Sequence, residues 1–358
     1  MRKKTIAVLF GGNSTEYEVS LQSAFSVLEN LNTEKYDIIM IGITREGDWY
    51  RYRGELEKIP DNTWCEDGAC LTPVAVSVSR SERGLLEFAA GKGEGTFAGT
   101  AALVKVDLVF PVLHGKNGED GTVQGLFELA GIPVAGCDMV SSVLCMDKGR
   151  AHVLVRTAGV AVPKAVTFRS HEREAALRDI SRRLSYPLFV KPVRAGSSFG
   201  ITKVLREADL GAAIETAFGH DDEVTVEEAV EGFEVGCAVL GNEALTVGRV
   251  DEIELSEGFF DYTEKYTLKT SRIHMPARID PQTERRVRET AVTIYRTLGC
   301  SGFARVDMFL RPDGEIVFNE VNTIPGCTSH SRYPNMMKGI GLSFPDMLDR
   351  LIELSVKV

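Results

Sequence analysis

Very little in this chain is suited to nucleic acid, membranes or cross-links. Lysine and arginine total 41 against 51 acidic residues, a formal net charge of −10, which argues against a nucleic-acid or anionic-membrane surface. Any anionic ligand must therefore be held by a few local cations. No apolar run approaches the ~18 residues that a membrane helix needs. The seven cysteines are an odd number without paired-motif spacing, and Cys137, Cys145, Cys237 and Cys300 lie among apolar residues. Reduced thiols in a cytoplasmic protein fit this better than a disulfide framework or a zinc site. The basic start Met1-Arg2-Lys3-Lys4 leads into Thr5–Phe10, which stops at Gly11-Gly12 without a small-residue cleavage site. That stretch reads as a buried first strand, not a signal peptide. There is no internal repeat and no low-complexity tract longer than 91–100. What is present is ordinary globular composition, 44% hydrophobic and 26% charged over 358 residues. That length exceeds one ordinary core, so two or three domains are expected.

The opening pattern is strand, glycine turn, helix, strand: 5–10, Gly11-Gly12-Asn13-Ser14, a helix to about Leu31, then Tyr36–Ile43. This is the βαβ start of an open parallel sheet in an α/β fold. Residues 60–100 are polar and rich in Gly and Ser, and 91–95 read as a mobile surface loop. The run 106–113 reads as a buried strand, ended by His114-Gly115-Lys116-Asn117-Gly118-Glu119-Asp120-Gly121, with a helix over 122–130. A second unit, from about Cys137, carries a helix near 147–158 and strands at 188–191 and 224–227. A third runs from about Glu228 to the end, with strands at 235–240, 246–255, 302–310 and 315–321 and helices at 281–298 and the terminus.

The chemistry concentrates in the third unit. The alternating run 302–310 and the run 315–320 flank Arg311-Pro312-Asp313-Gly314, a hairpin turn, so Asp307 and Glu320 come together with Asn322 close by. Two carboxylates and a carboxamide are hard oxygen ligands suited to Mg²⁺. A chance acidic pair on a solvated hairpin is the competing reading. Lys191 ends a strand and precedes Gly196-Ser197-Ser198-Phe199-Gly200, where small residues and hydroxyls suit a polyphosphate. This is not the GxxxxGK[ST] loop, and a plain tight turn is the alternative. Lys148, after Met146-Asp147, opens a helix against the macrodipole; an anion shared with Lys191 would offset that. The acidic strand end Glu227–Glu234 can accept from ribose hydroxyls or an adenine amino group, and otherwise is a solvated connection.

In this order, Gly11-Gly12-Asn13-Ser14-Thr15-Glu16, His114–Gly121, Met146-Asp147-Lys148, Lys191–Gly200 and Glu320-Val321-Asn322-Thr323-Ile324-Pro325-Gly326 resemble the D-alanine–D-alanine ligases over essentially the whole chain. Within them the chain looks like the VanG-type D-alanine–D-serine ligases of vancomycin-resistance systems. The resemblance implies a three-domain ATP-grasp fold: a Rossmann-like domain (1–136), a central subdomain (137–227) and a C-terminal subdomain with the Mg²⁺ site and a lid (228–358). It implies that ATP phosphorylates the carboxylate of one D-alanine and that a second D-amino acid attacks the acyl phosphate. Asp307, Glu320 and Asn322 would hold two Mg²⁺, which Mn²⁺ can replace. Lys148, Lys191 and Ser198 would meet the phosphates, and Glu227 and Glu234 the adenine and ribose. Glu16 would take the first ammonium, with Ser197 bonded to it. Arg305 and the Gly326 N–H would stabilise the oxyanion, and His114 would sit beside this pocket. The segment 258–266 resembles the family's lid, with Lys265 facing the transferring phosphate and Tyr266 reaching Ser197 and Glu16. A cytoplasmic homodimer is implied too.

Ser331 matches the residue that binds the second substrate's carboxylate. Arg332 stands where the D-alanine-specific members generally have an apolar residue, and it can donate to a hydroxyl where leucine or methionine would only enclose a methyl. Phe260 replaces a more usual lid tyrosine, Asp251 is a further polar candidate, and the lid lacks the histidine expected of D-lactate-forming members. D-Serine is therefore the expected second substrate, with a housekeeping D-alanine–D-alanine ligase as the alternative. A different ATP-grasp ligase or carboxylase would share the lysines and metal ligands without needing Glu16, Tyr266 or Ser331. A non-enzymatic nucleotide-binding module would bind ATP without turnover.

Overall fold

Apolar runs bounded by glycine and proline organise three sheets in the computed structural model, which describes residues 2–90, 97–196, 199–255 and 271–356. The first sheet contains β1 (Lys4–Gly11), β2 (Tyr36–Ile43), β3 (Trp49–Tyr52), β4 (Leu71–Val76), β5 (Gly84–Ala90), β6 (Phe97–Lys105) and β7 (Leu108–Pro111), in spatial order β6-β5-β4-β3-β2-β1-β7. Strand β1 is parallel to both β2 and β7, and its run Ile6–Phe10 is fully buried. From β3 to β6 the pairing is antiparallel, so the open parallel sheet expected from the βαβ start continues as a mixed one. The polar stretch 60–100, in which the sequence reading marks no strand, supplies β4, β5 and the start of β6. Its polar residues hide a thin apolar stripe, with Val74 and Leu85 buried. The predicted loop at 91–95 lies outside the described residues. Helix α1 (Tyr17–Asn30) buries Tyr17, Leu21, Ala24, Val27 and Leu28 at three- and four-residue spacing, the stripe of a surface helix.

Helices α2 (Thr122–Ala130), α3 (Met139–Met146) and α4 (Lys148–Thr157) lead into the second sheet. That sheet comprises β8 (Ala165–Arg169), β9 (Leu188–Pro192), β10 (Thr202–Val204) and β11 (Glu223–Glu228), ordered β10-β9-β11-β8, with α5 (Arg173–Arg183) and α6 (Glu207–Phe218) intervening in sequence. The third sheet comprises β12 (Phe233–Gly241), β13 (Leu245–Leu255), β14 (Ser271–His274), β15 (Phe303–Leu310) and β16 (Ile316–Asn322), ordered β14-β13-β12-β15-β16. Helix α7 (Pro281–Thr297) starts where Asp280 accepts from the Gln282 and Thr283 N–H groups, with Pro281 as its first residue, a cap worth about 1 kcal/mol. After α8 (Arg332–Lys338), the last helix, α9 (Phe344–Val356), buries Met347, Leu348, Leu351 and Ile352 in the same core as α1 and β1. The chain thus returns to its first sheet. All seven cysteines are free thiols. Among the described residues no helix is long and apolar enough to cross a membrane.

Candidate active site

One row of residues crosses the third sheet. Asp251 on β13 is in register with Gly236 on β12, Gly236 with Asp307 on β15, and Asp307 with Glu320 on β16. Register partners share a face, as do residues two apart on a strand. Arg305, opposite Asn322, therefore joins this face. The hairpin that the sequence predicts is present, with a register irregularity just after Asp307.

Asp307 is the hub. Arg305 donates to both its oxygens, Nε at 2.9 and 3.1 Å and Nη2 at 2.8 Å. The Asn322 amide donates to Oδ2 at 2.9 Å, and Arg332 Nη2 lies 3.3 Å from Oδ1. Arg305 therefore pairs along its own strand with Asp307. Arg332 caps the row. Its Nε and Nη2 form a two-pronged pair with Asp251 at 2.7 and 2.8 Å, and Nη1 donates to Glu234 at 2.9 Å. Glycine at 236 permits this arrangement: a Cβ there would overlap Arg332 Nη2 and come within 2.7 Å of Asp251 Oδ1. Asp251 is fully buried and Arg332 nearly so. The sequence suggested an arginine aimed at a ligand hydroxyl. The structure instead engages its fork in carboxylates, so any hydroxyl contact belongs to the Asp251–Arg332–Glu234 unit.

Two cavities, of about 520 and 470 Å³, share the residues Lys148, Glu234 and Glu320. The first is lined by Glu16, His114, Arg305, Gly326, Ser331 and Arg332 among others. Glu16, at the start of α1, is buried, and the Gly196 backbone comes so near that a Cβ would lie 2.5 Å from its Oε1. The glycine thus brings the loop after β9 onto the first sheet's helix. His114 is committed at both ring nitrogens, Nδ1 to the Ile324 carbonyl at 3.0 Å and Nε2 to Ser23 Oγ at 3.1 Å. Burial pushes its pKa down, so the ring is neutral and fixes Ile324 in place. Ser331 Oγ accepts from the Thr328 N–H at 3.0 Å and lies 2.8 Å from its hydroxyl, and it sits 3.0 Å from where a Gly326 Cβ would be. Ser331 and Gly326 therefore share one corner.

The second cavity is lined by Phe189, Lys191, Lys203, Glu227 and Phe309 among others. Lys191 Nζ donates to Glu227 Oε2 at 2.6 Å, both groups being buried. Burial pushes the Glu227 carboxyl up, but the charge of Lys191 outweighs it, leaving its pKa below the ordinary value. At the junction, Lys148 Nζ donates to the Ala195 carbonyl at 2.8 Å and lies 3.8 Å from Glu320 Oε2. The helix start that disfavours this lysine is stabilised by Asp147, whose side chain accepts from the Arg150 N–H.

Ser197, Ser198, Phe260, Lys265 and Tyr266 lie outside the described residues. The strands that flank the lid segment are described: Leu255 and Ser271 are register partners on β13 and β14, Ile273 lines the first cavity and Glu254 the second. Three contributors carry no assigned role in the sequence reading. Glu119 accepts from the Gly115 N–H at 2.9 Å and the Ile324 N–H at 3.1 Å, joining two loops; burial and then Glu16 push it up to about 8. Gly236 could have been suspected as a glycine inside an apolar strand, which marks close approach. His152 lies one turn beyond Lys148 on one face of α4.

Among the described residues no three His, Cys, Asp or Glu side chains converge as a metal cage. The donors here are two carboxylates and an amide oxygen, which fits Mg²⁺. That ion is held by one or two carboxylates, with substrate phosphates and water completing its shell.

Two family models match this chain. Residues 5–137 match the D-ala D-ala ligase N-terminus and residues 154–353 the D-ala D-ala ligase C-terminus. Among solved structures, the VanG D-Ala:D-Ser ligase from Enterococcus faecalis is similar at 68% identity and a TM-score of 0.92, over 99% of this chain and 100% of that one. The vancomycin B-type resistance protein VanB of Enterococcus faecalis is 46% identical over 100% of both chains. A D-alanine–D-alanine ligase of Caldicellulosiruptor bescii is 42% identical over 100% of this chain and 96% of that protein.

Proposed function

The chain belongs to the D-alanine–D-alanine ligase family, and on that premise we propose that it is an ATP-dependent D-alanine–D-serine ligase of the ATP-grasp fold. The observation that carries this reading is the pair of cavities meeting at Lys148, Glu234 and Glu320. One offers an aromatic and charged slot for a nucleotide, the other a polar chamber for two small zwitterions. A phosphoryl group at their junction can pass from one to the other without entering solvent.

In this reading the domains are 1–136, 137–227 and 228–358, with α9 returning to the first. Glu227 and Glu234 take adenine and ribose, while Lys148, Lys191 and Ser198 take the phosphates. Lys191 and Lys148 already have a carboxylate and a carbonyl as partners, and the phosphates add a further anionic partner to each. Glu16 receives the ammonium of the first D-alanine, with Ser197 and Tyr266 locking that corner and Lys265 closing on the phosphate. Asp307, Glu320 and Asn322 would hold Mg²⁺, which supplies charge neutralisation of the transferring phosphoryl. The D-alanine carboxylate attacks the γ-phosphorus and ADP leaves. The second substrate, with its carboxylate on Ser331, attacks the acyl phosphate through its amine. Arg305 and the Gly326 N–H face the resulting oxyanion, and phosphate departs with one carboxylate oxygen.

The choice of D-serine rests on the Asp251–Arg332–Glu234 unit. A site that can bond a hydroxyl penalises the analogue lacking one. The likeness to the VanG D-Ala:D-Ser ligase at 68% identity supports it. A D-alanine–D-alanine product is the second reading, favoured by the C. bescii relative. Incubation with equal D-alanine and D-serine, ATP and Mg²⁺, followed by dipeptide analysis, separates the two. D-Ala–D-Ser should predominate; predominant D-Ala–D-Ala rejects the D-serine assignment.

A further inference from the structure

His152 is buried on the same face of α4 as Lys148, which lines the second cavity. Its Nε2 lies 2.9 Å from the Asn319 carbonyl oxygen. A carbonyl only accepts, so Nε2 carries the hydrogen. Burial lowers the His152 pKa despite the Glu227 charge, so the ring is neutral and Nδ1 keeps a lone pair. Nδ1 points at Glu227 Oε1 from 3.8 Å, and an edge-to-face contact with Phe318 holds the ring plane. Lys191 occupies the other Glu227 oxygen at 2.6 Å. Oε1 itself is buried and has no hydrogen-bond partner among the described residues. Two acceptors thus face each other beside the cavity that Glu227 lines.

We infer that His152 is a positioning residue for base selection: by presenting a lone pair instead of a hydrogen, it keeps Glu227 Oε1 available to an exocyclic amino group. A 6-aminopurine supplies the missing donor. A 6-oxopurine places a carbonyl there and adds a further acceptor to a buried site that already has too many. An internal donor at position 152 would satisfy Oε1 and remove the discrimination. The inference rests on the reading of Glu227 as the adenine contact, and it goes beyond it by naming what holds that carboxylate oxygen open.

The test is calorimetric binding of ADP and GDP to the full chain without metal, beside melting curves for each variant. His152→Asn sets an amide donor near the place of Nδ1, and the ADP-to-GDP affinity ratio should fall about tenfold or more. His152→Gln can still reach the Asn319 carbonyl, and its ratio should stay within about threefold of the unaltered chain. A purely structural role would weaken both nucleotides alike. An unchanged ratio in folded His152→Asn overturns the inference while leaving the ligase reading intact. If the unaltered chain binds neither nucleotide, both fall. Nitrogen NMR of the labelled imidazole needs no variant: a protonated Nδ1 at neutral pH overturns the inference, and a bare one supports it.

Discussion

An Asp307→Ala protein should make dipeptide at a rate roughly a thousandfold or more below that of the unaltered chain, since positioned charge is commonly the largest catalytic term. The side chain does two things. It would hold Mg²⁺, and it is the counter-charge that Arg305 and Arg332 share. Its loss leaves two guanidiniums in a site where all three groups are buried or nearly so. Removing one member of such a network costs about 3–5 kcal/mol, so the midpoint of denaturant unfolding should fall as well. Asp307→Asn separates the effects, because it keeps the volume and an oxygen acceptor while removing the charge. D-Alanine-dependent phosphate release measures the first effect and urea unfolding the second. Release within tenfold of the unaltered rate would remove Asp307 from the metal site.

Arg332→Leu should shift the dipeptide product from D-Ala–D-Ser toward D-Ala–D-Ala by about tenfold or more, the scale on which losing a hydrogen-bonding site alters discrimination. The structure adds a cost that the sequence did not reveal. Asp251 is fully buried, and its two-pronged partner would be gone, at about 3–5 kcal/mol. Gly236 would also be left beside a leucine that cannot fill the guanidinium's place. Asp251→Leu combined with Arg332→Leu removes both charges, and replacing a whole buried pair by apolar residues is often neutral or stabilising. The double variant should therefore regain stability without regaining D-serine preference. An unchanged product ratio in Arg332→Leu would reduce the arginine to a fold element.

The shared face of the proposed metal ligands was legible in the sequence because a hairpin turn and strand alternation fix which residues lie side by side. Asp307, Glu320, Asn322 and Arg305 lie together for that reason, and the pairing is local. The Lys191–Glu227 pair was harder to read: each residue was a candidate alone, but their contact depends on the antiparallel alignment of β9 with β11, which no turn specifies. The buried Arg332 network was invisible for a similar reason. It needs α8, β12, β13 and β15 at once, and its key is an absent side chain at Gly236. Strands β4 to β6 were missed because their alternation is weak among alanine, glycine and threonine. Helix α9 reads as amphipathic, but only the fold shows that its apolar face closes on α1.

The account depends on a D-alanine carboxylate being phosphorylated and then attacked by an amine, with Lys148 and Glu320 at the point of transfer. D-Alanine labelled with ¹⁸O in its carboxylate tests this most directly. In the presence of ATP, Mg²⁺ and D-serine, each dipeptide formed should be matched by one inorganic phosphate carrying a single ¹⁸O from the amino acid. Dipeptide accompanied by unlabelled phosphate would contradict the acyl-phosphate route, and phosphate release that ignores D-alanine would contradict the ligase assignment.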